Sequence, residues 1–223
     1  MNRRNFLKSL GIVGSGIALF PELVFGQDKK SIYLTIDDGP WKNMEKILEN
    51  LGENKATFFM VGEHLEIKKY FDLACRTLDA GHKIGNHSYS HSLFSEIKSN
   101  QVKEEVEKAG ELIQRVYDKV GIKNPLYFRF PFGDNGRFKG EKYKDKIDLF
   151  LKLKGYDTFG WNFSPREWEI YSKDYSNTEE KIMKSLEQIK DDDVVLIHDN
   201  EISAKKIIPY LIKQDYKFKL LGD

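Results

Sequence analysis

Cysteine is almost missing from this 223-residue chain: Cys75 stands alone, which excludes an internal disulfide and every thiolate metal cluster. A dominant charge is missing too, since 36 Lys and Arg face 35 Asp and Glu for a net +1. Arg3, Arg4 and Lys8 against Glu22 supply that excess, and without residues 1–26 the remainder carries −1. Such a balance implies no nucleic-acid partner. No self-similar repeat and no low-complexity linker is visible, which argues against a repeat array or a second domain. The longest apolar run, Leu10 to Phe20, is short of the ~20 residues a membrane-spanning helix needs. What is present, at 40% hydrophobic content, suits one domain with a substantial core.

The N-terminus reads separately from the rest. Asn2-Arg3-Arg4-Asn5-Phe6-Leu7-Lys8 precedes the Gly-rich apolar run and resembles a twin-arginine export signal. Val24-Phe25-Gly26 places modest or small residues where a signal peptidase reads, so cleavage is expected before Gln27. The expectation is a signal over residues 1–26, a single domain over 27–223 with no stable membrane span after cleavage, and a periplasmic or extracellular location.

From there on, short β-rich runs alternate with amphipathic stretches, which predicts an α/β architecture. Strands are expected near Ile32–Ile36, Ala56–Val61, His82–Gly85, Tyr127–Phe130, Asp157–Trp161, Val194–Ile197 and Phe218–Leu221. Helices are expected over Met44–Leu51, Leu65–Leu78, Val102–Val120, Tyr143–Leu153, Glu179–Ile189 and Ala204–Ile212. The third is the clearest: Val102, Val106, Ala109, Ile113 and Val116 recur at spacings of three and four, with Lys103, Glu104, Glu107 and Lys108 on the other face. The lysines of residues 139–154 are interleaved with Glu141, Asp145 and Asp148 and read as a solvated helix face.

Four strand ends carry the chemistry. In Thr35-Ile36-Asp37-Asp38-Gly39-Pro40, two adjacent carboxylates close an apolar strand. Alternation along a strand makes them diverge, so one can bind a cation while the other handles a proton; alone, the same residues would also suit a strand-ending turn. In Asn86-His87-Ser88-Tyr89-Ser90-His91, two imidazoles at i and i+4 would face the same way on a helical turn. With Asp38 they would complete a two-histidine, one-carboxylate metal site with positions open to water. His64 and His82 have no such partners and read as surface or structural. Arg129-Phe130-Pro131-Phe132-Gly133 and Leu196-Ile197-His198-Asp199 complete the series, with Trp161 to Trp168 between them. Polar clusters at the C-terminal ends of successive strands are how α/β barrels build active sites.

These motifs, in this order, resemble the polysaccharide deacetylases of carbohydrate esterase family 4, the NodB-homology domain, from Ser31 to the C-terminus. Thr35 to Pro40, the His-Ser-x-x-His of His87 to His91, the Arg-x-Pro-x-Gly of Arg129 to Gly133 and the Leu-x-His of Leu196 to His198 carry the likeness. The resemblance implies a deformed (β/α)7 barrel, TIM-barrel-like and single-domain. It also implies a divalent metal, usually zinc, on Asp38, His87 and His91, with Asp37 as general base toward the attacking water and His198 as acid toward the leaving amine. Arg129 would orient Asp37 and keep it charged, the backbone N–H of Phe132 would help hold the oxyanion, and Leu196 and Trp168 would line the pocket for the acetyl methyl group.

One motif departs from the family. Where Asp-x-x-Asp-Trp is common, this chain has Ser164-Pro165-Arg166-Glu167-Trp168, so a carboxylate one methylene longer, Glu167, would have to support His198. The implied activity is removal of N-acetyl groups from an amino-sugar polymer such as peptidoglycan, a chitin-like glycan or poly-N-acetylglucosamine. Alternatives are an O-acetyl esterase on acetylxylan or another glycan, a carbohydrate-binding pseudoenzyme, and a non-haem iron oxygenase, whose metal the same three ligands would suit.

Overall fold

The computed structural model describes residues 29–171 and 177–223; the expected export signal lies outside them. In chain order the elements are β1 (Ser31–Gly39), α1 (Met44–Leu51), β2 (Thr57–Met60), α2 (Lys68–Asp79), β3 (Lys83–Asn86), α3 (Ser99–Val120) and β4 (Tyr127–Phe128). There follow α4 (Glu141–Leu153), β5 (Asp157–Thr158), α5 (Glu179–Ser185), β6 (Asp193–His198), α6 (Ile208–Lys213) and β7 (Lys217–Phe218). Among the described residues no helix is long and apolar enough to cross a membrane.

Every strand pairing is parallel, in the order β5-β4-β3-β2-β1-β6, with β7 beside the start of β1. Parallel neighbours need crossovers, and the helices supply them. The ring closes after β5, where Phe163 bridges to Val195 of β6 and accepts the Leu196 N–H at 2.9 Å. That single bridge, in place of a full strand, makes this a deformed (β/α)7 barrel.

The two faces of β1 explain both the core and the site. Ile32, Leu34 and Ile36 are fully buried with Met44, Ile47 and Leu51 of α1 and with Ile207, Ile208 and Leu211 around the start of α6. Truncating one of these to alanine would cost ~2–5 kcal/mol. Thr35 and Asp37, one residue out of phase, point the other way, into the barrel. Cys75 is half-buried on α2 and packs against this core.

Several element boundaries differ from expectation for local reasons. The stretch expected as one helix over Leu65–Leu78 is a 3-10 turn, Gly62–Glu66, then Ile67 in an extended conformation, then α2. A β-branched residue loses side-chain freedom in a helix, and Ile67 instead precedes one. Helix α5 stops at Ser185 and tightens into a turn over Leu186–Gln188. Before α6, Ser203–Ile207 winds as a π-helix. Pro209 lacks an N–H and crowds the carbonyl four residues back, which widens that turn.

Candidate active site

The site starts where β1 stops being regular. Its register places Asp37 beside His198 on one neighbour and beside Phe59 on the other, then slips between Asp37 and Gly39. Asp38 adopts a left-handed φ of 69°. The two carboxylates therefore separate: Asp37 is buried, while the Asp38 side chain is 41% exposed at the cleft mouth. The divergence expected from strand alternation is present, but a bulge and a left-handed residue accompany it.

Arg129, only 1% exposed, sits behind Asp37. Its Nη1 donates to Asp37 Oδ1 at 2.9 Å and to Thr35 Oγ1 at 2.7 Å, Nη2 to the Gly160 carbonyl at 2.8 Å, and Nε to the Phe159 carbonyl at 3.1 Å. The guanidinium carbon lies 4.2 Å from the centre of the Phe59 ring. A buried cation is tolerated when paired and hydrogen-bonded in this way.

His87 and His91 are brought to the same place, but not by a helical turn. The segment after β3 is a loop in which Ser88 (φ 64°) and His91 (φ 57°) are left-handed, and these two backbone reversals bring the rings together. Their centroids lie 5.0 Å apart. His87 Nδ1 is 2.9 Å from the Arg129 carbonyl. Because a carbonyl only accepts, Nδ1 carries a proton, and in the neutral ring Nε2 is then the nitrogen with the lone pair. That Nε2 stands 3.5 Å from Asp38 Oδ1 and 3.5 Å from Asp37 Oδ2, and His91 Nε2 stands 3.1 Å from Asp38 Oδ1.

The ligand atoms of Asp38, His87 and His91 all lie within 4.8 Å of one another, and Asp38 Oδ1 is buried without a hydrogen bond. Burial pushes the Asp38 carboxyl up, yet its contacts with His87 and His91 outweigh that and hold it well below the usual carboxylate range. Two imidazole nitrogens around an orphaned anionic oxygen fit a divalent cation.

On the opposite wall, His198 ends β6 and is backed by Glu167, which is fully buried. Glu167 Oε1 accepts from the His198 backbone N–H at 2.7 Å and lies 2.8 Å from its Nδ1; Asn200 Nδ2 at 3.3 Å and Ser203 Oγ at 3.4 Å also donate to it. Burial alone would lower the imidazole, but the hydrogen bond and charge of Glu167, with Asp38 and Asp37 adding, push it up to about 9. Ser164, in place of the family's first carboxylate, lines the cleft and accepts from the Arg166 N–H at 3.2 Å. Glu167 thus holds His198 without it.

All ten residues singled out from the sequence meet here. Asp37, Asp38, His87, His91, Phe132, Trp168, Leu196 and His198 line one cleft of about 580 Å³, with Arg129 and Glu167 behind its walls. Phe132 is left-handed (φ 57°), with its ring 4.4 Å from that of His91.

The family model described as polysaccharide deacetylase matches residues 26–157. A peptidoglycan-N-acetylglucosamine deacetylase of Bacillus cereus is 30% identical over 208 residues, 88% of each chain. The chain belongs to the polysaccharide deacetylase family. The family likeness extends to the peptidoglycan-N-acetylmuramic acid deacetylase PdaA of Bacillus subtilis, 30% identical over 87% of this chain and 71% of that protein. Among solved structures, the Bc1960 peptidoglycan N-acetylglucosamine deacetylase superposes with a TM-score of 0.67 at 26% identity, covering 87% of both chains.

Two residues that build this family site stand inside the motifs but have no role assigned from the sequence. Thr35 accepts from Arg129 and donates to the Val195 carbonyl at 2.8 Å, tying β1 and β6 to the segment that follows β4 beneath Asp37. Asn86 accepts the Ser88 N–H at 2.8 Å and donates to the Val106 carbonyl at 2.9 Å, anchoring the start of the histidine loop on α3. His64 stacks on Trp41 at 4.6 Å and lines a depression of about 340 Å³ with Asp38 and His91. His82 is structural, buried with Nδ1 accepting the Ala56 N–H at 3.1 Å.

Proposed function

We propose that the chain is a divalent-metal-dependent N-deacetylase acting on an amino-sugar polymer, with peptidoglycan as the favoured class. The observation that carries this reading is the placement of Asp37, held by Arg129, and His198, held by Glu167, on either side of the Asp38, His87 and His91 donors. The relatives' names favour amino-sugar backbones. A groove also favours a polymer: the cleft shares Phe130 and Trp161 with a neighbouring depression of about 300 Å³ that continues past Asn135 and Thr158.

Asp38 Oδ1, His87 Nε2 and His91 Nε2 would hold the cation, with zinc the expected metal. When bound there it would polarise the acetyl carbonyl and acidify the attacking water. Asp37 accepts that water's proton, and the Arg129 fork fixes the carboxylate in place for it. The Phe132 N–H is the expected backbone donor to the developing oxyanion, which a preorganised dipole stabilises. His198 has Nδ1 committed to Glu167, so Nε2 is left to protonate the departing amine. Leu196 and Trp168 wall the space for the acetyl methyl. Export through the twin-arginine-type segment of residues 1–26 would deliver the protein to a glycan outside the cytoplasm; N-terminal sequencing of exported protein tests this, expecting Gln27 first.

The deciding experiment incubates zinc-loaded mature protein with peptidoglycan, chitooligosaccharides and acetylxylan and measures acetate, with His87→Ala alongside. Acetate from the amino-sugar polymers, lost in H87A, is expected. Acetate from acetylxylan alone would make the chain an O-acetyl esterase, and glycan binding with no acetate from any of them a pseudoenzyme.

A further inference from the structure

The His87–His91 loop has to hold two imidazoles toward one carboxylate while carrying two left-handed non-glycine residues, Ser88 and His91. Such conformations persist when surrounding structure over-determines them. The loop's carbonyls are held from one side, with Gly62 N–H donating to Ser88 O at 2.9 Å and Glu63 N–H to Tyr89 O at 2.9 Å. Gly62 is required for that approach, since a Cβ there would stand 2.8 Å from Ala109 of α3.

The Ser88 N–H is held by Asn86 and the His91 N–H by the Ser88 hydroxyl at 3.1 Å, and the two amides between them, those of Tyr89 and Ser90, are held by a single side chain. Glu105, half-buried on α3, accepts the Tyr89 N–H at 3.0 Å and the Ser90 N–H at 2.7 Å on Oε2, and the Ser90 hydroxyl at 2.7 Å on Oε1. Lys108, one turn along, covers the Tyr89 ring at 3.6 Å. The helix makes a firm base for this contact because Val102, Val106 and Ala109, which flank Glu105 at spacings of three, one and four residues, are buried. Its neighbour Glu104 is exposed and makes no comparable contact with the loop.

We propose that Glu105 is a positioning residue for the metal site: by taking three hydrogen bonds from Tyr89 and Ser90, its carboxylate fixes the loop so that His87 and His91 converge on Asp38. The inference rests on the metal-site reading above. Hydrogen bonds from backbone N–H groups to a carboxylate are charge-assisted and stronger than neutral ones. Without them the amides of Tyr89 and Ser90 turn to water, and the left-handed backbone at Ser88 and at His91 itself is less firmly held. The fixed geometry is then assembled only when metal binds, and affinity falls by that ordering cost.

The test measures the zinc dissociation constant by chelator competition, and amide exchange at Tyr89 and Ser90 in metal-free protein, for wild type, Glu105→Ala, Glu105→Gln, Glu105→Asp and Glu104→Ala. Glu105→Ala should weaken zinc binding by roughly 10–100-fold, the range for partners that orient metal ligands, and speed exchange at Tyr89 and Ser90 while the α3 amides stay protected. Glu105→Gln, which keeps an oxygen for both amides, should recover most of the affinity, and Glu104→Ala should match wild type. If Glu105→Ala does not fold, Glu105→Asp carries the test, because it retains the charge but withdraws the carboxylate by one methylene and should weaken zinc binding. A folded Glu105→Ala or Glu105→Asp with wild-type zinc affinity overturns the inference. Wild-type protein that binds no zinc overturns the metal site itself and this inference with it, which distinguishes the two failures.

Discussion

Arg129 touches both halves of the site through different atoms: its main-chain oxygen lies 2.9 Å from Nδ1 of His87, and its guanidinium donates to Asp37 at 2.9 Å. The backbone just past β4 thus orients a candidate metal ligand while the side chain of the same residue fixes the candidate base. Substitution separates the two roles, because only the guanidinium can be removed.

Arg129→Lys should therefore keep the metal and lose the chemistry. A single ammonium cannot reproduce the fork that reaches Thr35, Asp37 and two carbonyls at once. Zinc stoichiometry by elemental analysis should stay at the wild-type value while acetate release falls by about 10²-fold or more, the range for impaired acid–base groups. Arg129→Ala should in addition destabilise by ~3–5 kcal/mol in denaturant titration, since it leaves Asp37 buried without its counter-charge. Loss of zinc from a folded Arg129→Lys would contradict the division of roles.

Removing a ligand should do the reverse. His91→Ala should abolish acetate release and weaken zinc binding, yet leave the far-UV signal and Asp37–Arg129 pairing in place, because His91 is a half-buried loop residue. Chelator treatment of wild type should act alike and be reversed by added zinc. Retained activity in thoroughly metal-free protein would sink the metal-dependent reading.

How legible this was depended on what each feature rests on. Helices α1 and α3 and the core of β1 follow from periodic burial, which a sequence records directly. The motif residues were also legible, since their types and order are themselves the signal. Backbone reversals at Asp38, Ser88, His91 and Phe132 were not, because each is a non-glycine residue held left-handed by its surroundings. The His87–His91 spacing read as a helical turn for that reason. Closure of the barrel through Phe163 and Val195 is one bridge, too short for any pattern. Glu105 shares its helix with exposed Glu104 and Glu107, and only the loop folded against it sets it apart.

His82 predicts acid sensitivity away from the site. Burial, with Lys55 adding, pushes its imidazole from 6.5 down to about 4. The unfolded chain then binds a proton below pH 6.5 that the folded chain refuses until about pH 4. Its contribution is complete above pH 6.5 and is lost as pH falls toward 4, by roughly 3 kcal/mol in all. Replacing it by asparagine, whose side-chain oxygen can accept the Ala56 N–H, should flatten the stability curve across that window. Parallel curves for wild type and His82→Asn would show that this histidine does not carry the acid dependence.

The Glu167–His198 pair predicts the opposite sign. With its imidazole raised from 6.5 to about 9, His198 contributes stability that is fully present below pH 6.5 and is lost as pH rises through 9, again by roughly 3 kcal/mol in metal-free protein. Glu167→Gln removes the charge that outweighs burial, so the imidazole falls and the alkaline loss of stability should disappear from denaturant titrations at pH 6 and pH 9. The same change should move the alkaline limb of acetate release to lower pH, because the proposed acid, His198, would then lose its proton earlier. Glu167→Asp restores the charge at a shorter reach and should lie between the two. A pH–rate profile in Glu167→Gln that coincides with wild type would mean His198 is not the acid, and the longer carboxylate in this chain would then be only a structural anchor for the end of β6.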